Sequence, residues 1–409
     1  MSIAAVDKAP TAKVWNSAFI NIFLAYFLVN VALGMSNNLS TPFAKELGAT
    51  PVLIGVVATG FTYGAIVFKL ASAPAIDTYN RKFVLLGAVA VIAIAFVGYA
   101  ISTTVPVLIT FRVLQGVGQA FTATTFIALA ADTLPREKLA QGMGTFAIGT
   151  AAATMVAAPI ALKVQEATSY RATFVIALVV LVLGAVAILR IELRPLPRKK
   201  FRITLNGFIA VEAIPPALMQ FLFMMAWSCV FSFLIVFGMD QGLGSNVGFF
   251  NTAYGLAVFV AAPLGGRLVD RFGYYMLIPM MVFMGVALLL ISISTNLVTL
   301  LVAAVCGAFG YGAAGPVVRS MAMGIVPKPR RGAASSTLFL ASDVGQLLGP
   351  IVGGILATSF GYAAMFRVVP GYLLLVVVLL LVTRRSLTSR IASVAAAEQA
   401  EVEAAARAA

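Results

Sequence analysis

The chain has 409 residues, 61% of them apolar and 10% charged, with a mean hydropathy of +1.02, whereas soluble domains carry about 25% charged residues. No fold of this length could hide so much apolar surface from water, so the bulk of the chain is neither a soluble enzyme nor a soluble binding module. It reads as an integral membrane protein. The formal charge of +14 would argue for nucleic acid only beside a basic, aromatic-rich module, and none is present.

Runs of about 20 mostly apolar residues, the length that crosses a bilayer as a helix, fall near 16–36, 51–72, 83–101, 106–129, 142–163, 172–190, 213–238, 248–268, 275–293, 297–322, 334–358 and 363–383. They predict an all-α membrane protein with twelve transmembrane helices. The first run is too long for the core of a cleaved leader. With the N-terminus in the cytoplasm, 22 of the 28 Lys and Arg residues fall on that side or at span ends facing it. Only Lys45, Lys163, Arg171 and Arg367 fall opposite, and Arg112 and Arg319 lie within spans. This bias predicts that both termini are cytoplasmic in a cell inner membrane.

The second half repeats the first. Tyr63-Gly64 matches Tyr254-Gly255 at an offset of 191, Asp77 matches Asp270 at 193, Pro135 matches Pro327 at 192, and Pro159 matches Pro350 at 191. A tandem duplication of six spans follows. It predicts one six-helix bundle over 1–190, a linker over 191–206, a second bundle over 207–390 and a cytoplasmic tail over 391–409. The basic linker either lies on anionic headgroups or anchors the topology. The Ala- and Glu-rich tail is expected to form a short helix at most.

Three patterns stand out. The loop after span 2 reads Ala73-x-x-x-Asp77-Thr78-Tyr79-Asn80-Arg81-Lys82, and its copy after span 8 reads Gly266-Arg267-Leu268-Val269-Asp270-Arg271-Phe272-Gly273. Span 4 holds Arg112-Val113-Leu114-Gln115-Gly116-Val117-Gly118, and span 11 holds Gly345-x-x-x-Gly349-Pro350-x-x-Gly353-Gly354. With twelve spans in two parallel halves, these resemble the major facilitator superfamily, and most closely its bacterial exporters of the drug:proton antiporter type. Phe43-Ala44-Lys45-Glu46-Leu47-Gly48-Ala49 and Arg331-Gly332-Ala333-Ala334 add to that likeness.

The resemblance implies two bundles rocking about a central path lined by spans 1, 4, 7 and 10. It implies a cytoplasmic gate at Asp77, Arg81, Lys82, Asp270 and Arg271, although Arg81 and Lys82 would also serve as plain topology anchors. It implies a role for Arg112 in proton transfer or substrate contact, with Gln115 one turn away; alternatively the guanidinium snorkels to the interface. Gly345, Gly349, Pro350 and Gly353 either mark antiport or permit close helix packing and a bend.

Without histidine, proton exchange near neutral pH falls to carboxylates, and Asp343 is the one acidic residue placed deep in a span. Asn30 is expected to project into the central path, with Gln220 opposite. Arg319 and Asp343 are predicted to share a depth and to pair, either as a working switch or as a static structural pair. Phe221, Phe223, Met224, Met225 and Trp227 form either an apolar wall or ordinary core. Cys229 and Cys306 lie in apolar runs, so neither a disulfide framework nor a cysteine-rich metal centre is expected, and no cofactor. The expected function is proton-coupled efflux of a small organic compound by a protein that meets substrate, protons and lipid and acts as a monomer. Uptake or exchange of an organic anion, with Arg112 and Arg319 as receptors, is the second transport reading. A non-transporting membrane sensor is the reading from another class.

Overall fold

The computed structural model describes residues 16–134, 139–191 and 209–408, and within them the regular structure is helical throughout. Twelve segments are long and apolar enough to cross a membrane. The first six are α1 (Ser17–Glu46), α2 (Pro51–Thr78), α3 (Arg81–Ile101), α4 (Val105–Thr133), α5 (Leu139–Ala167) and α6 (Tyr170–Leu189). Then come α7 (Ile214–Asp240), α8 (Phe249–Phe272) and α9 (Leu277–Ser292). Span 10 is α10 (Leu297–Gly307), a π-helical turn over Ala308–Gly312, and α11 (Ala313–Gly324). Span 11 is α12 (Arg331–Phe360), and span 12 comprises α13 (Tyr362–Val368) and α14 (Gly371–Ala408).

The sequence starts and stops these helices locally. Side chains of Asn16, Thr50, Asn80, Ser169 and Asn296 each accept from a backbone N–H in the first turn of the helix that follows, which satisfies a donor that no helical carbonyl can reach. Gly273 and Gly361 end α8 and α12 with φ of 76° and 83°, a conformation that a residue with Cβ resists. Two ends depart from expectation. α1 runs ten residues past the predicted limit of 36, because its polar last third faces protein rather than lipid. The tail continues α14 as helix up to Ala408 instead of forming a separate short segment, and its Glu398 accepts from Arg331 at 3.0 Å.

Helices α1–α6 pack on one another, as do α7–α14, and the main contacts between the two bundles are α2 with α12, α5 with α8 and α1 with α7. Side chains such as Val67, Phe83, Val298 and Val382 stay exposed on the outside, as lipid-facing residues should. An even number of crossings puts both chain ends on one face. At the opposite, far face the bundles are clasped: Lys45 pairs with Asp240, Ser245 donates to Glu166, and Thr252 donates to the Met155 carbonyl at 2.7 Å. Close backbone approach seals the same end, since a Cβ on Gly55 would lie 2.2 Å from the Pro350 oxygen and one on Gly354 2.6 Å from that of Pro51.

Candidate functional site: a polar cavity and an ion pair between the bundles

Beneath the far-face clasp lies a cavity of about 250 Å³. Its lining includes Asn37, Asn38 and Thr41 of α1, Thr59 and Phe61 of α2, Arg112 of α4, Ser228, Phe231 and Ser232 of α7, Asn251 of α8 and Gln346 of α12. Asn251 donates to Asn38 at 3.1 Å, so one hydrogen bond joins the bundles across this space.

Arg112 is its charged residue. It enters from the far face roughly 10 Å along α4, and it is 1% exposed. Nη1 donates to Asn37 Oδ1 at 2.7 Å and to Gln115 Oε1 at 2.9 Å, while Nε and Nη2 donate to the carbonyls of Val57 and Ala58, each at 3.0 Å. The guanidinium also stacks on Phe61, 4.9 Å from the ring centre. Gln115 accepts from Tyr99 and donates to Asn37 at 3.1 Å and to Gln119 at 3.3 Å. All of these partners are neutral. A buried guanidinium tolerates that only if its N–H groups are satisfied one by one, and glycines make it possible: Cβ atoms on Gly60, Gly64 and Gly116 would stand 2.9 Å from Arg112 Cβ, 2.2 Å from the Val113 oxygen and 1.8 Å from the Phe61 oxygen. α2 and α4 thus approach backbone to backbone, which brings the α2 carbonyls within reach of the side chain. Snorkelling to the interface is thereby excluded for Arg112.

On the side of the cavity toward the termini, Lys69 Nζ donates to Asp343 Oδ2 at 2.7 Å and joins α2 to α12. Asp343 stands one turn before Gln346 on the same helix. The predicted Arg319–Asp343 pair is therefore corrected: the carboxylate is taken by Lys69, and the Arg319 guanidinium rests 5.5 Å from the centre of the Phe339 ring, against which Lys69 also lies at 5.5 Å. Neighbourhood in sequence does not settle which cation reaches the carboxylate, because α12 is wedged between α7 and α2 and presents Asp343 to the latter. Gln220 donates to Ser342 at 3.0 Å, beside this cluster.

Asn30 donates to the Tyr26 carbonyl of its own helix at 2.8 Å and does not meet Gln220. The two stand roughly 20 Å and 9 Å along parallel helices, so their levels differ by two turns. Gly345, Gly349 and Gly353 press α12 onto α7, where added Cβ atoms would fall 2.6 Å from the Phe221 oxygen, 2.1 Å from Ser228 Oγ and 2.8 Å from Cys229 Sγ; Pro350 lies on the other side, against Gly55. Phe223, Met224, Met225 and Trp227 are buried core, with Trp227 stacked on Tyr311 of the π-helical turn at 5.2 Å. At the loop after span 2, the Asp77 side chain lies outside the described residues. Arg81 pairs with Asp132, and Lys82 donates to the carbonyls of Leu189 and Ile191 at 2.6 and 2.9 Å, so both brace the first bundle. Asp270 is exposed with no ion pair among the described residues, and Arg271 lies over Phe272 at 5.2 Å.

Sequence reasoning missed Lys69, Asn251 and Gln346; Asn37 and Asn38 stand out in the sequence as polar positions toward the outer end of span 1, without a place in the central path. Lys69, Asn251, Asn37 and Asn38 lie where the hydropathy pattern puts a span end, so they look like boundaries until the helix is seen to continue past them. Gln346, by contrast, is mid-span, and only the cavity it lines tells it from a polar residue facing a neighbouring helix.

The Major Facilitator Superfamily profile matches residues 22–215 and again 216–407. The multi-drug resistance efflux pump PmrA of Streptococcus pneumoniae serotype 4 is 26% identical over 85% of this chain and 91% of its own length. Among solved structures, a bacterial homolog of the human lysosomal transporter Spinster, in an inward-facing and occupied conformation, aligns with a TM-score of 0.76 at 16% identity, over 91% of this chain and 97% of its own. The nucleoside transporter NupG aligns with a TM-score of 0.74 at 13% identity, over 88% and 97%. At those identities the structural likeness speaks for the fold.

Proposed function

Because the chain belongs to the major facilitator superfamily, and is thus a twelve-span membrane transporter rather than an enzyme, we propose that it exports a small organic compound in exchange for protons by alternating access. Residues 1–190 and 207–390 are the two rocking bodies in this reading, joined by 191–206. The basic-residue bias supports termini in the cytoplasm of the inner membrane, and the likeness to a multidrug efflux pump supports export.

The observation that carries the reading is the vertical order of parts. The clasp of Lys45 with Asp240 and Ser245 with Glu166 closes the far face, the cavity with Arg112 lies beneath it, and the Lys69–Asp343 pair stands between the cavity and the termini face. That order fits an inward-facing state in which Lys69 is paired with the Asp343 carboxylate. Substrate enters the cavity from the cytoplasm. When the bundles rock, the far face opens, substrate leaves and Asp343 takes a proton from outside; the neutral acid no longer holds Lys69, and the return delivers the proton inward. Asp270 and Arg271 would meet partners only when the cytoplasmic side closes, whereas Arg81 and Lys82 keep the first bundle rigid. Lipid surrounds a monomer.

Purified protein in proteoliposomes with an imposed pH gradient tests this with a compound panel. Substrate should move against the proton flow, and a protonophore should abolish its accumulation. Accumulation that survives collapse of the gradient would overturn proton coupling.

A further inference from the structure

The cavity lining holds a cation and no carboxylate. Among the described residues that surround it, Arg112 is the one charged side chain, and the rest are amides, hydroxyls, aromatics and small residues. Of the five guanidinium N–H groups, Nε, both on Nη1 and one on Nη2 are engaged by neutral acceptors. Among the described residues one Nη2 N–H has no carbonyl, amide or carboxylate acceptor, on a side chain that lines the cavity. A buried charge is stabilised by a counter-charge as well as by hydrogen bonds, and this one has only the latter.

A second, independent observation points to a ligand in the same place. Thr41 and Ser232 are 2% and 5% exposed, both line the cavity, as does Gln346, and none of the three has a side-chain hydrogen-bond partner among the described residues. Their polar atoms reach the cavity rather than a protein acceptor, so their hydrogen-bonding capacity is open to whatever fills it. These three come from α1, α7 and α12, so they converge from both bundles on one volume. At about 250 Å³ it is compact beside ligand sites of about 300–1,000 Å³.

The approach from the termini face has the same sign. Lys69 and Arg319 flank Phe339, each 5.5 Å from its ring centre, and Asp343 is the carboxylate between them and the cavity. Among these described side chains two cations stand against one anion between the entry and the cavity, and a low-dielectric passage focuses such a field on whatever enters. We propose that the cavity receives a compact organic monoanion, its acid group held by Arg112 and its polar body by Thr41, Ser232 and Gln346, and that it rejects organic cations. This names the substrate class of the site already described and rests on the transporter reading of it.

The test is equilibrium binding by calorimetry to the purified full-length protein in detergent, with no gradient present. The probes are benzoate, benzamide and benzylammonium, and the corresponding hexanoate, hexanamide and hexylammonium. Each carboxylate should bind about tenfold or more tighter than its amide, with the ammonium weakest. Arg112→Gln should reduce the carboxylate to the affinity of the amide. Because that variant also loses contacts that join α2 to α4, Gln346→Glu serves as the second: a carboxylate added in the cavity should weaken benzoate and admit benzylammonium. Ammonium binding as tight as carboxylate in the wild type, no measurable binding of either carboxylate, or an unchanged order in Gln346→Glu would overturn the assignment. A carboxylate that binds but does not move with a pH gradient would leave the ligand class standing and remove the proton-coupled reading. A pumped organic cation would do the reverse.

Discussion

Two positively charged side chains, Arg112 and Lys69, approach the centre of the membrane on neighbouring helices, and they are held in opposite ways. Arg112 is sealed among neutral acceptors and backbone carbonyls within one bundle. Lys69 is 43% exposed in its side chain and meets a single carboxylate of the other bundle. A many-partnered, fully buried cation moves only by breaking all of its hydrogen bonds together, so it is a fixed charge. In the proposed rocking cycle, a single contact between the two bundles can be made and broken at every turn. The first arrangement builds a site, and the second suits a switch.

The largest effect that would break this contrast is expected at Arg112. Arg112→Leu would remove four hydrogen bonds from a charged donor, three of which tie α4 to α1 and α2, and hydrogen bonds to charged groups contribute about 1.5–3 kcal/mol each. Thermal unfolding in detergent should show a large loss of Tm or a failure to accumulate folded protein, while Lys69→Met keeps close to wild-type Tm. Equal losses in the two variants would remove the distinction between fixed charge and switch.

Next in size is Gly116→Ala. Its Cβ would stand 1.8 Å from the Phe61 oxygen and 3.0 Å from the Ala65 nitrogen, and backbone has little room to yield, so the cost should reach the upper end of the roughly 1–3 kcal/mol seen for overpacking. The same change at Gly144 or Gly266, where nothing lies within 4 Å, should cost nothing measurable. Comparison of the three melting curves checks whether the α2–α4 approach, rather than glycine as such, holds Arg112 in place.

A smaller effect on stability and a larger one on transport are expected at the switch. Exposed ion pairs contribute about 0–1 kcal/mol, so Asp343→Asn and Lys69→Gln should melt within a few degrees of wild type, yet Asp343→Asn should exchange substrate down its gradient without responding to pH. Arg319→Gln should retain more coupling than Lys69→Gln, because Lys69 and not Arg319 holds the carboxylate. Loss of coupling in Arg319→Gln with full coupling in Lys69→Gln would restore the pairing that sequence order predicts.

Much of the fold was legible because lipid makes a helix announce itself: twelve apolar runs became twelve spans. The fixed charge was also legible, since Arg112 interrupts an apolar run and Gln115 follows one turn later. The pairing of Asp343 was not, because adjacency in sequence says which helices are neighbours within a bundle but nothing about contacts between bundles. Asn30 was overvalued for a related reason. A polar residue in a membrane helix can satisfy itself on its own carbonyl four residues back, as Asn30 does on Tyr26, and hydropathy cannot tell that from a side chain aimed at a cavity. Asn37 and Asn38 were undervalued because they look like the end of a span, although α1 continues to Glu46.

The smallest effect sharpens the contrast at the far face. Lys45 and Asp240 are 43% and 38% exposed in their side chains, so water and salt screen the pair, and by itself it stabilises the fold by about 0–1 kcal/mol. It nevertheless joins α1 to α7 at the ends that separate when the far face opens. Whatever it contributes is present in one conformation and absent in the other, so all of it enters the equilibrium between them, where about 1.4 kcal/mol is a tenfold change in population. Lys45→Ala should therefore leave Tm unchanged and raise the fraction open to the far side by a few fold. The labelling rate of an Asn251→Cys reporter by an impermeant maleimide added at the far face reads that fraction, with Cys229 and Cys306 replaced to remove background. Added salt should raise the rate in the Lys45 background less than in the parent, because the interaction it screens is already gone. A rate that does not change on Lys45→Ala would mean that the hydrogen bonds of Ser245 and Thr252 and the backbone contact of Gly55 with Pro350 close the far face without help from the ion pair.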